Sequence, residues 1–94
     1  MDKIKYTLNE KESRSEVYDG DKLIGKCDYS IETNKLDIYH TEVDAAYGGR
    51  GLASKLIDLV VAYARDENLK IIPTCPYVAK KFDKDQSYKD VDAR

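Results

Sequence analysis

The hydrophobic pattern changes its period near residue 43, and this change limits the possible folds more than any other feature of the chain. Before residue 43, apolar and polar residues mostly alternate, as they do on half-buried strands. After it, Leu52, Leu56, Val60 and Tyr63 recur at the spacing of one helix face. The pattern therefore predicts a sheet built mainly from the first half of the chain, followed directly by a helix.

Four strands are predicted in the alternating part of the chain, at residues 4–8, 14–18, 22–31 and 35–43. Asp19-Gly20 is a strong hairpin signal, and residues 32–34 form a second turn. On the third strand, alternation assigns one set of residues to the core face: Leu23, Gly25, Cys27, Tyr29 and Ile31. These strands are expected to form an antiparallel meander.

The helical part of the chain predicts a helix over residues 50–67, with Asn68 as its left-handed C-terminal cap. The short apolar run 69–74 predicts a fifth strand, parallel to the fourth because a helix connects the two by a right-handed crossover. Pro73 has no N–H to donate, so this strand should be unpaired on one side near its end. Residues 77–82 predict a short helix.

The predicted fold class is therefore α/β (α+β). It consists of a mixed, mostly antiparallel five-stranded sheet, one long helix in a βαβ unit and a short C-terminal helix. A length of 94 residues is that of one small domain, so we expect residues 1–94 to form a single domain.

Three glycines lie in the turn that opens the long helix, within residues 47–53. Glycine allows a ligand to approach the backbone, and free N–H groups at a helix N-terminus favour an anion. The functional interpretation is a phosphate or pyrophosphate site, and the structural one is a tight turn that merely needs glycine. A Walker loop is excluded because Leu52 follows Gly51, and Ser54 stands where a dinucleotide fingerprint has its last glycine.

Composition and charge argue against several classes of partner. Lys and Arg total 16 and Asp and Glu total 18, so there is no basic excess to hold nucleic acid. No apolar run approaches the roughly 20 residues of a membrane span, and residues 1–5 lack the apolar core of a signal peptide. We expect a cytoplasmic protein with two free thiols, and no metal, because one His and two Cys give no zinc-site spacing.

Three segments of the chain, residues 40–43, 48–53 and 71–77, resemble the GNAT superfamily of acetyl-CoA-dependent N-acetyltransferases. They look most like a minimal single-domain branch that shares His-Thr-Glu-Val and Cys-Pro-Phe/Tyr segments. The resemblance covers about residues 23–88, which is most of the chain.

The glycine turn departs from the superfamily pattern at one position. Gly51 and Ala53 match its last two positions, whereas Gly48 stands where Gln or Arg is usual. Asp44 stands where the minimal branch commonly has Pro. Neither departure removes a backbone N–H donor, so cofactor binding should survive both.

The resemblance implies acetyl-CoA as cosubstrate, a primary amine as acceptor and no metal. It implies that the fourth and fifth strands splay apart, so that the pantetheine arm enters between them and pairs with the backbone near Glu42 and Val43. The glycine turn would hold the pyrophosphate through these residues: Gly48, Gly49, Arg50, Gly51, Leu52 and Ala53.

Two further side chains are candidates for chemistry. Cys75 ends the predicted fifth strand and His40 lies near the end of its parallel neighbour, so both could reach a ligand beyond the strand ends. Cys75 could act as a nucleophile or as a general acid to the departing CoA sulfur, activated by His40 or by a helix after Pro76. The structural alternative for Cys75 is a small buried hydrophobic residue, and the one for His40 is a half-buried strand residue with a satisfied hydrogen bond. Cys27 is assigned to the core, and Glu42 is either a base for an ammonium or a solvated carboxylate.

Three functions remain open at this point. The chain is an N-acetyltransferase that moves acetyl from acetyl-CoA to a primary amine, a noncatalytic acetyl-CoA-binding module, or a small interaction domain with a structural glycine turn. Cofactor binding separates the third from the first two, and turnover separates the first from the second. The acceptor amine could be a small molecule or a protein, and we expect a monomer or weak dimer.

Overall fold

The computed structural model describes residues 3–94; residues 1 and 2, part of the segment assessed for a signal peptide, lie outside it. The strands and helices follow in chain order: β1 Ile4–Asn9, β2 Arg14–Asp19, β3 Lys22–Glu32, β4 Lys35–Val43, α1 Leu52–Asp66, β5 Lys70–Pro73 and α2 Pro76–Lys84. Short 3₁₀ turns lie at Ala45–Tyr47 and Gln86–Tyr88.

The five strands form one sheet in the order β1-β2-β3-β4-β5. The first four are antiparallel to their neighbours, and β5 lies parallel to β4. Two-residue turns close the β2–β3 and β3–β4 hairpins, and each turn begins with a left-handed residue, Gly20 or Thr33. The predicted meander with one added parallel strand is therefore confirmed.

The predicted core face of β3 is wrong at its first residue. Gly25 pairs with Val17 but Leu23 pairs with Tyr18, so Ile24 is an extra residue in a β-bulge. The bulge turns Ile24 inward, where only 2% of it is exposed, and leaves Leu23 39% exposed. Strict alternation could not predict this reversal, because a bulge changes the face of every residue beyond it.

The rest of the predicted β3 face divides between core and surface. Cys27 and Tyr29 are buried, as predicted, with the Tyr29 ring centroid 5.8 Å from that of Tyr63 on α1. Ile31, which lies next to the hairpin turn, is 45% exposed and is the second error of the alternation pattern.

Helix α1 lies across the sheet and contacts all five strands. Its apolar side chains pack on the sheet at helical spacing, and the buried ones are Leu52, Leu56, Ile57, Val60, Val61 and Ala64. The helix begins at Leu52, two residues later than predicted, because Gly51 has a φ of 76° that is incompatible with a right-handed helix. Asn68 is left-handed, with a φ of 58°, as predicted for a residue that ends the helix.

Strands β4 and β5 pair over only the first part of β4. The pairing ends at Ile38, whose carbonyl oxygen also accepts the N–H of Cys75 at 2.9 Å. Tyr39, the next residue, has no partner on β3 and is the extra residue of a second bulge, between β3 and β4. Because β5 ends at Pro73 and the chain turns into α2, residues 40–43 have no strand beside them on that edge. We call this opening the β4–β5 cleft.

The two helices lie on the same face of the sheet and hold each other in place. The Lys81 Nζ of α2 donates to the Ser54 Oγ of α1 at 2.6 Å, and the Tyr88 hydroxyl donates to Asp58 at 2.5 Å. The other face, called the open face below, carries mainly polar and charged side chains from the central strands. Within residues 3–94, no helix is long and apolar enough to cross a bilayer.

Candidate active site

The edge of β4 presents backbone hydrogen-bonding groups to the β4–β5 cleft. The Asp44 N–H donates to the Ile24 carbonyl at 2.7 Å, so Asp44 and Ile24 are a hydrogen-bonded pair that continues the ladder between β4 and β3. Since bonded and non-bonded pairs alternate in an antiparallel ladder, the N–H and C=O groups of Thr41 and Val43 point away from β3. They are directed into the cleft, where an extended ligand with amide groups could pair with them.

The glycine turn presents N–H donors to open space. Gly49 and Gly51 have φ values of 77° and 76°, and a Cβ at either position would meet no atom within 4 Å. Helix α1 starts directly after Gly51 with neither a side-chain cap nor an acidic residue in its first turn. The N–H groups of Leu52, Ala53 and Ser54 therefore have no partner within the helix. Together with the helix dipole, this arrangement suits a pyrophosphate.

Side-chain contacts hold the turn in this conformation. The Asp44 carboxylate accepts the Ala46 N–H at 2.9 Å and caps the 3₁₀ turn that precedes the glycines. The Tyr47 hydroxyl donates to the carboxylate of Asp19 at the end of β2. The Arg50 guanidinium lies over the Tyr47 ring, 5.7 Å from its centroid. The Tyr47 contact thus ties the turn to the sheet, and the other two contacts brace the turn internally.

Cys75 lies where the cleft, β5 and α2 meet. It is the N-cap residue of α2, and its side chain caps no backbone N–H of that helix. Cys75 as a residue is 7% exposed, and its thiol donates to the Thr41 hydroxyl, with Sγ and Oγ1 3.8 Å apart. The Cys75 sulfur therefore lies at the N-terminus of α2, within hydrogen-bond reach of a β4 side chain that borders the cleft.

Thr41 connects this thiol to a second one. The Thr41 hydroxyl donates in turn to the Sγ of Cys27, 3.6 Å away. Burial raises the pKa of the Cys27 thiol to about 11, and the hydrogen bond from Thr41 offsets only part of that effect. Cys27 therefore stays protonated at neutral pH and is a core residue, as its alternation in β3 predicts.

His40 and Glu42 lie on the open face, away from this thiol pair. The bulge at Tyr39 reverses the alternation of β4, so that Thr41 follows Ile38 on the core face and its two chain neighbours point outward. The His40 Nε2 lies 2.7 Å from the Glu42 Oε1, and both side chains are exposed. The hydrogen bond from His40 lowers the pKa of the Glu42 carboxyl.

The structure thus distributes the predicted site residues over two neighbouring places. Cys75, the Val43 backbone and the glycine turn border the cleft from the helix side, whereas His40 and Glu42 form a pair on the open face. The hydrogen-bond partner of Cys75 is Thr41, which the sequence pattern did not single out. Gly48 is less available than the rest of the turn, because its N–H donates to the Ala45 carbonyl at 3.2 Å.

Metal ligands do not cluster in the described part of the chain. Among residues 3–94, no group of three His, Cys, Asp or Glu side chains is placed to hold a metal ion.

Comparison with known proteins agrees with this geometry. A family model described as GCN5-related N-acetyl-transferase matches residues 14–91, which include every strand from β2 onward and both helices. The chain belongs to this family. The matched range contains the glycine turn, the cleft and Cys75, so the family assignment covers the whole candidate site.

Curated relatives match over a shorter stretch. The NATD1 proteins of Gallus gallus and Homo sapiens are each 42% identical to this GCN5-related chain over 45 residues, or 48% of its length. The matched stretch covers 41% of the Gallus gallus protein and 40% of the Homo sapiens protein. The alignment thus spans about two fifths of the length of these relatives.

Solved structures reproduce the fold over most of the chain. The NMR structure of a GCN5-like protein from Staphylococcus aureus is 31% identical, with a TM-score of 0.76 over 97% of this chain and 89% of that one. Ard1 from Thermoplasma volcanium is 22% identical, with a TM-score of 0.61 over 79% of this chain and 53% of that one. The second likeness supports the GCN5-related fold alone.

Proposed function

We propose that this GCN5-related protein is a cytoplasmic N-acetyltransferase that transfers acetyl from acetyl-CoA to a primary amine, with Cys75 in direct contact with the acetyl group. The observation that supports it best is the position of the Cys75 thiol, at the end of β5 and at the border of the cleft beside the open glycine turn. The anion site and the strand edge with free amides suit a phosphorylated arm that contains amides, and a thiol beside them is suited to react with a thioester at the end of that arm.

Acetyl-CoA fits the residues on the helix side of the cleft. The N–H groups of Gly49 and of the first turn of α1 would hold the pyrophosphate, in space that a Cβ at Gly49 or Gly51 would fill. The backbone groups of Thr41 and Val43 would pair with the pantetheine amides. In this proposal the reactive end of the arm lies at the end of β5, next to Cys75.

The bound thioester supplies an activated acetyl group, and Cys75 has two chemical routes to it. As a nucleophile, the Cys75 sulfur bonds to the acetyl carbon while the carbon–sulfur bond to CoA breaks, and the CoA sulfur takes up the thiol proton. The amine then attacks acetyl-Cys75, and the thiol is restored. As a general acid, Cys75 donates its proton to the CoA sulfur while the amine attacks the thioester directly.

The acceptor amine approaches from the open face in this proposal, since the glycine turn belongs to the helix layer on the other side. His40 and Glu42 are the paired polar side chains of β4 on that face, 2.7 Å apart. The imidazole, oriented by the carboxylate, is suited to accept the proton that the amine loses. The lowered pKa of Glu42 means that its carboxylate holds a proton less readily, so in this proposal Glu42 orients the imidazole and does not act as the base.

Substitution of Cys75 tests the proposal directly. Cys75→Ala should bind acetyl-CoA almost as the wild type does, because the glycine turn is unchanged, but its turnover with an amine should fall by about a hundredfold or more. Cys75→Ser separates shape from chemistry, since a hydroxyl is far less nucleophilic. Mass spectrometry after incubation with acetyl-CoA should show an acetylated protein for the nucleophilic route and none for the general-acid route.

Cys27→Ser is the matched control, because it changes the other thiol and keeps an acceptor for the Thr41 hydroxyl. It should retain turnover and any acetylation of the protein. Full turnover by Cys75→Ala would contradict both roles of this residue. Binding of acetyl-CoA without turnover on any amine of a broad panel would instead indicate the noncatalytic acetyl-CoA-binding module.

A further inference from the structure

We infer that the carboxylate of Asp37 binds a second, cationic end of the acceptor on the open face, and that the preferred acceptors are therefore extended alkyl diamines. This inference rests on the proposed function, because it names the class of amine that the same site uses. Asp37 lies on β4 and lines a groove of about 520 Å³ beside the β3–β4 hairpin. Its chain neighbours Leu36 and Ile38 are buried in the core, so the Asp37 side chain points to the open face.

The carboxylate of Asp37 lacks the partner that neighbouring carboxylates on this face have. The Asp28 Oδ2 lies 3.4 Å from the Lys26 Nζ, and Glu42 is hydrogen-bonded to His40. Asp37 has no ion pair in the described part of the chain, and its Oδ1 is buried without a hydrogen-bond partner. A carboxylate oxygen withdrawn from water without a partner is costly, so an ammonium bound to this side chain would offset that cost.

The charges that line the groove leave it negative. Glu32 and Lys35 both line it, and they are opposite each other in the β3–β4 register, where opposite charges favour each other. Their charges therefore offset, and the charge of Asp37 is left over. An acceptor with a cationic end suits this balance, whereas an acidic one would be repelled.

The register of the sheet sets the distance from Asp37 to the reacting end. Asp37 pairs with Ser30 and His40 pairs with Asp28, two residues apart on β3. Since a strand advances about 3.4 Å per residue, Asp37 and His40 lie roughly 7 Å apart along the sheet. An extended chain covers about 3.3–3.6 Å in three bonds, so the roughly six bonds of a diamine with about five methylenes span this distance.

Apolar side chains lie beside this path. Tyr39, the bulge residue between Asp37 and His40, is 52% exposed. Ile72 of β5, which pairs with Asp37, is 37% exposed and lines the groove. Methylene groups that cover these two side chains would remove apolar surface from water. The open face thus favours a chain of methylenes with a positive charge at each end.

Steady-state turnover with acetyl-CoA and alkyl diamines of increasing length tests this subsite. The wild type should show its highest kcat/KM near a length of about five methylenes. It should prefer pentane-1,5-diamine over 5-aminopentan-1-ol, which has a hydroxyl in place of the second ammonium, by about tenfold. That ratio is well above the factor of about two that a second reactive amine supplies by itself. In Asp37→Asn, which keeps the shape of the side chain, the ratio should fall to about that factor, mainly through KM.

Asp66→Asn is the matched control, because it removes the same charge from an exposed position at the end of α1. It should keep the wild-type ratio, which separates a local contact from a change in total charge. A wild type that acetylates both amines without preferring the diamine would overturn the Asp37 subsite and leave the proposed function intact.

An NMR titration with pentane-1,5-diamine tests the subsite without turnover. The amides of Ser30, Asp37 and Ile72 should shift in the wild type and stay in place in Asp37→Asn. Unshifted amides in the wild type would overturn the subsite, whatever the turnover. Shifts at these amides without acetylation of any amine would keep the cation site at Asp37 and overturn the proposed function.

Discussion

At the scale of single residues, the hydroxyl of Thr41 holds the reactive thiol of the proposed mechanism. It accepts a hydrogen bond from the Cys75 thiol, with Oγ1 and Sγ 3.8 Å apart, and donates one to the Cys27 Sγ at 3.6 Å. These two contacts fix where the Cys75 sulfur lies at the border of the cleft. Thr41 therefore acts as a positioning residue.

Thr41→Val removes this hydroxyl and keeps the size of the side chain. The alkylation rate of Cys75 at a fixed neutral pH should then fall, by about tenfold if the lost hydrogen bond contributes about 1.4 kcal/mol to positioning the sulfur. Turnover should fall, while the Michaelis constant for acetyl-CoA should hardly change because the glycine turn is untouched.

Cys27 is the internal reference in that experiment. With a pKa of about 11 and no exposed surface, it should resist alkylation at neutral pH in both proteins. Thr41→Ser should restore the alkylation rate of the wild type. A Thr41→Val protein with an unchanged alkylation rate and unchanged turnover would refute the role of this hydroxyl.

At the scale of elements, the glycine turn separates the end of β4 from the start of α1 and sets the direction of the free N–H groups. Asn tolerates a left-handed conformation better than other side-chain-bearing residues do. Gly51→Asn should therefore fold, but its side chain enters the open space above the turn, and affinity for acetyl-CoA should fall by about tenfold or more. Calorimetry measures the loss, and a thermal melt shows whether the fold is kept.

Gly20→Asn is the matched control, because Gly20 has a similar φ of 60° in the β2–β3 turn. It should leave the affinity for acetyl-CoA unchanged. Gly51→Val should lose affinity and also roughly 1–2 kcal/mol of stability, since a β-branched residue is strained at this φ. Normal affinity in Gly51→Asn would mean that the glycines serve only the turn.

The elements of this fold could be predicted because their signals are local. Asp19-Gly20 indicates a hairpin, and the apolar period of α1 indicates a helix, whatever else the chain does. The two bulges could not be predicted, because Ile24 and Tyr39 are extra residues only relative to a neighbouring strand. Predictions from strand alternation therefore failed at the bulges. There the pairing with the neighbouring strand, which the sequence of one strand does not show, sets the face on which a side chain lies.

The same limit applies to the candidate site. The glycine turn and Cys75 could be selected from the sequence, because glycine spacing and the end of a strand are visible there. Because of the bulge at Tyr39, the Thr41 side chain points toward Cys75 and the His40 side chain points to the open face. The hydrogen bond between Thr41 and Cys75 could therefore not be predicted from the sequence.

At the scale of the whole molecule, the open face buries one carboxylate that links pH to folding. Glu16 is buried and accepts hydrogen bonds from Arg14 at 2.6 Å, Tyr18 at 3.0 Å and Asn9 at 3.2 Å. Burial by itself raises the pKa of Glu16, but these hydrogen bonds outweigh it and the pKa is lowered. A lowered pKa in the folded state means that the unfolded state binds the proton more readily.

Glu16 should therefore stabilise the fold above its ordinary pKa of 4.5, and this contribution should disappear as the pH falls through the lower pKa of the folded state. Glu16→Gln should cost roughly 1–3 kcal/mol at pH 7, because it removes a charged partner from Arg14. In denaturant titrations, the difference from the wild type should shrink steadily below pH 4.5. Glu12→Gln removes the same charge from an exposed neighbour and should cost much less than Glu16→Gln at pH 7. A difference between Glu16→Gln and the wild type that stays constant from pH 7 to the acid limit would mean that the cost is steric, and that the charge of Glu16 contributes nothing to folding.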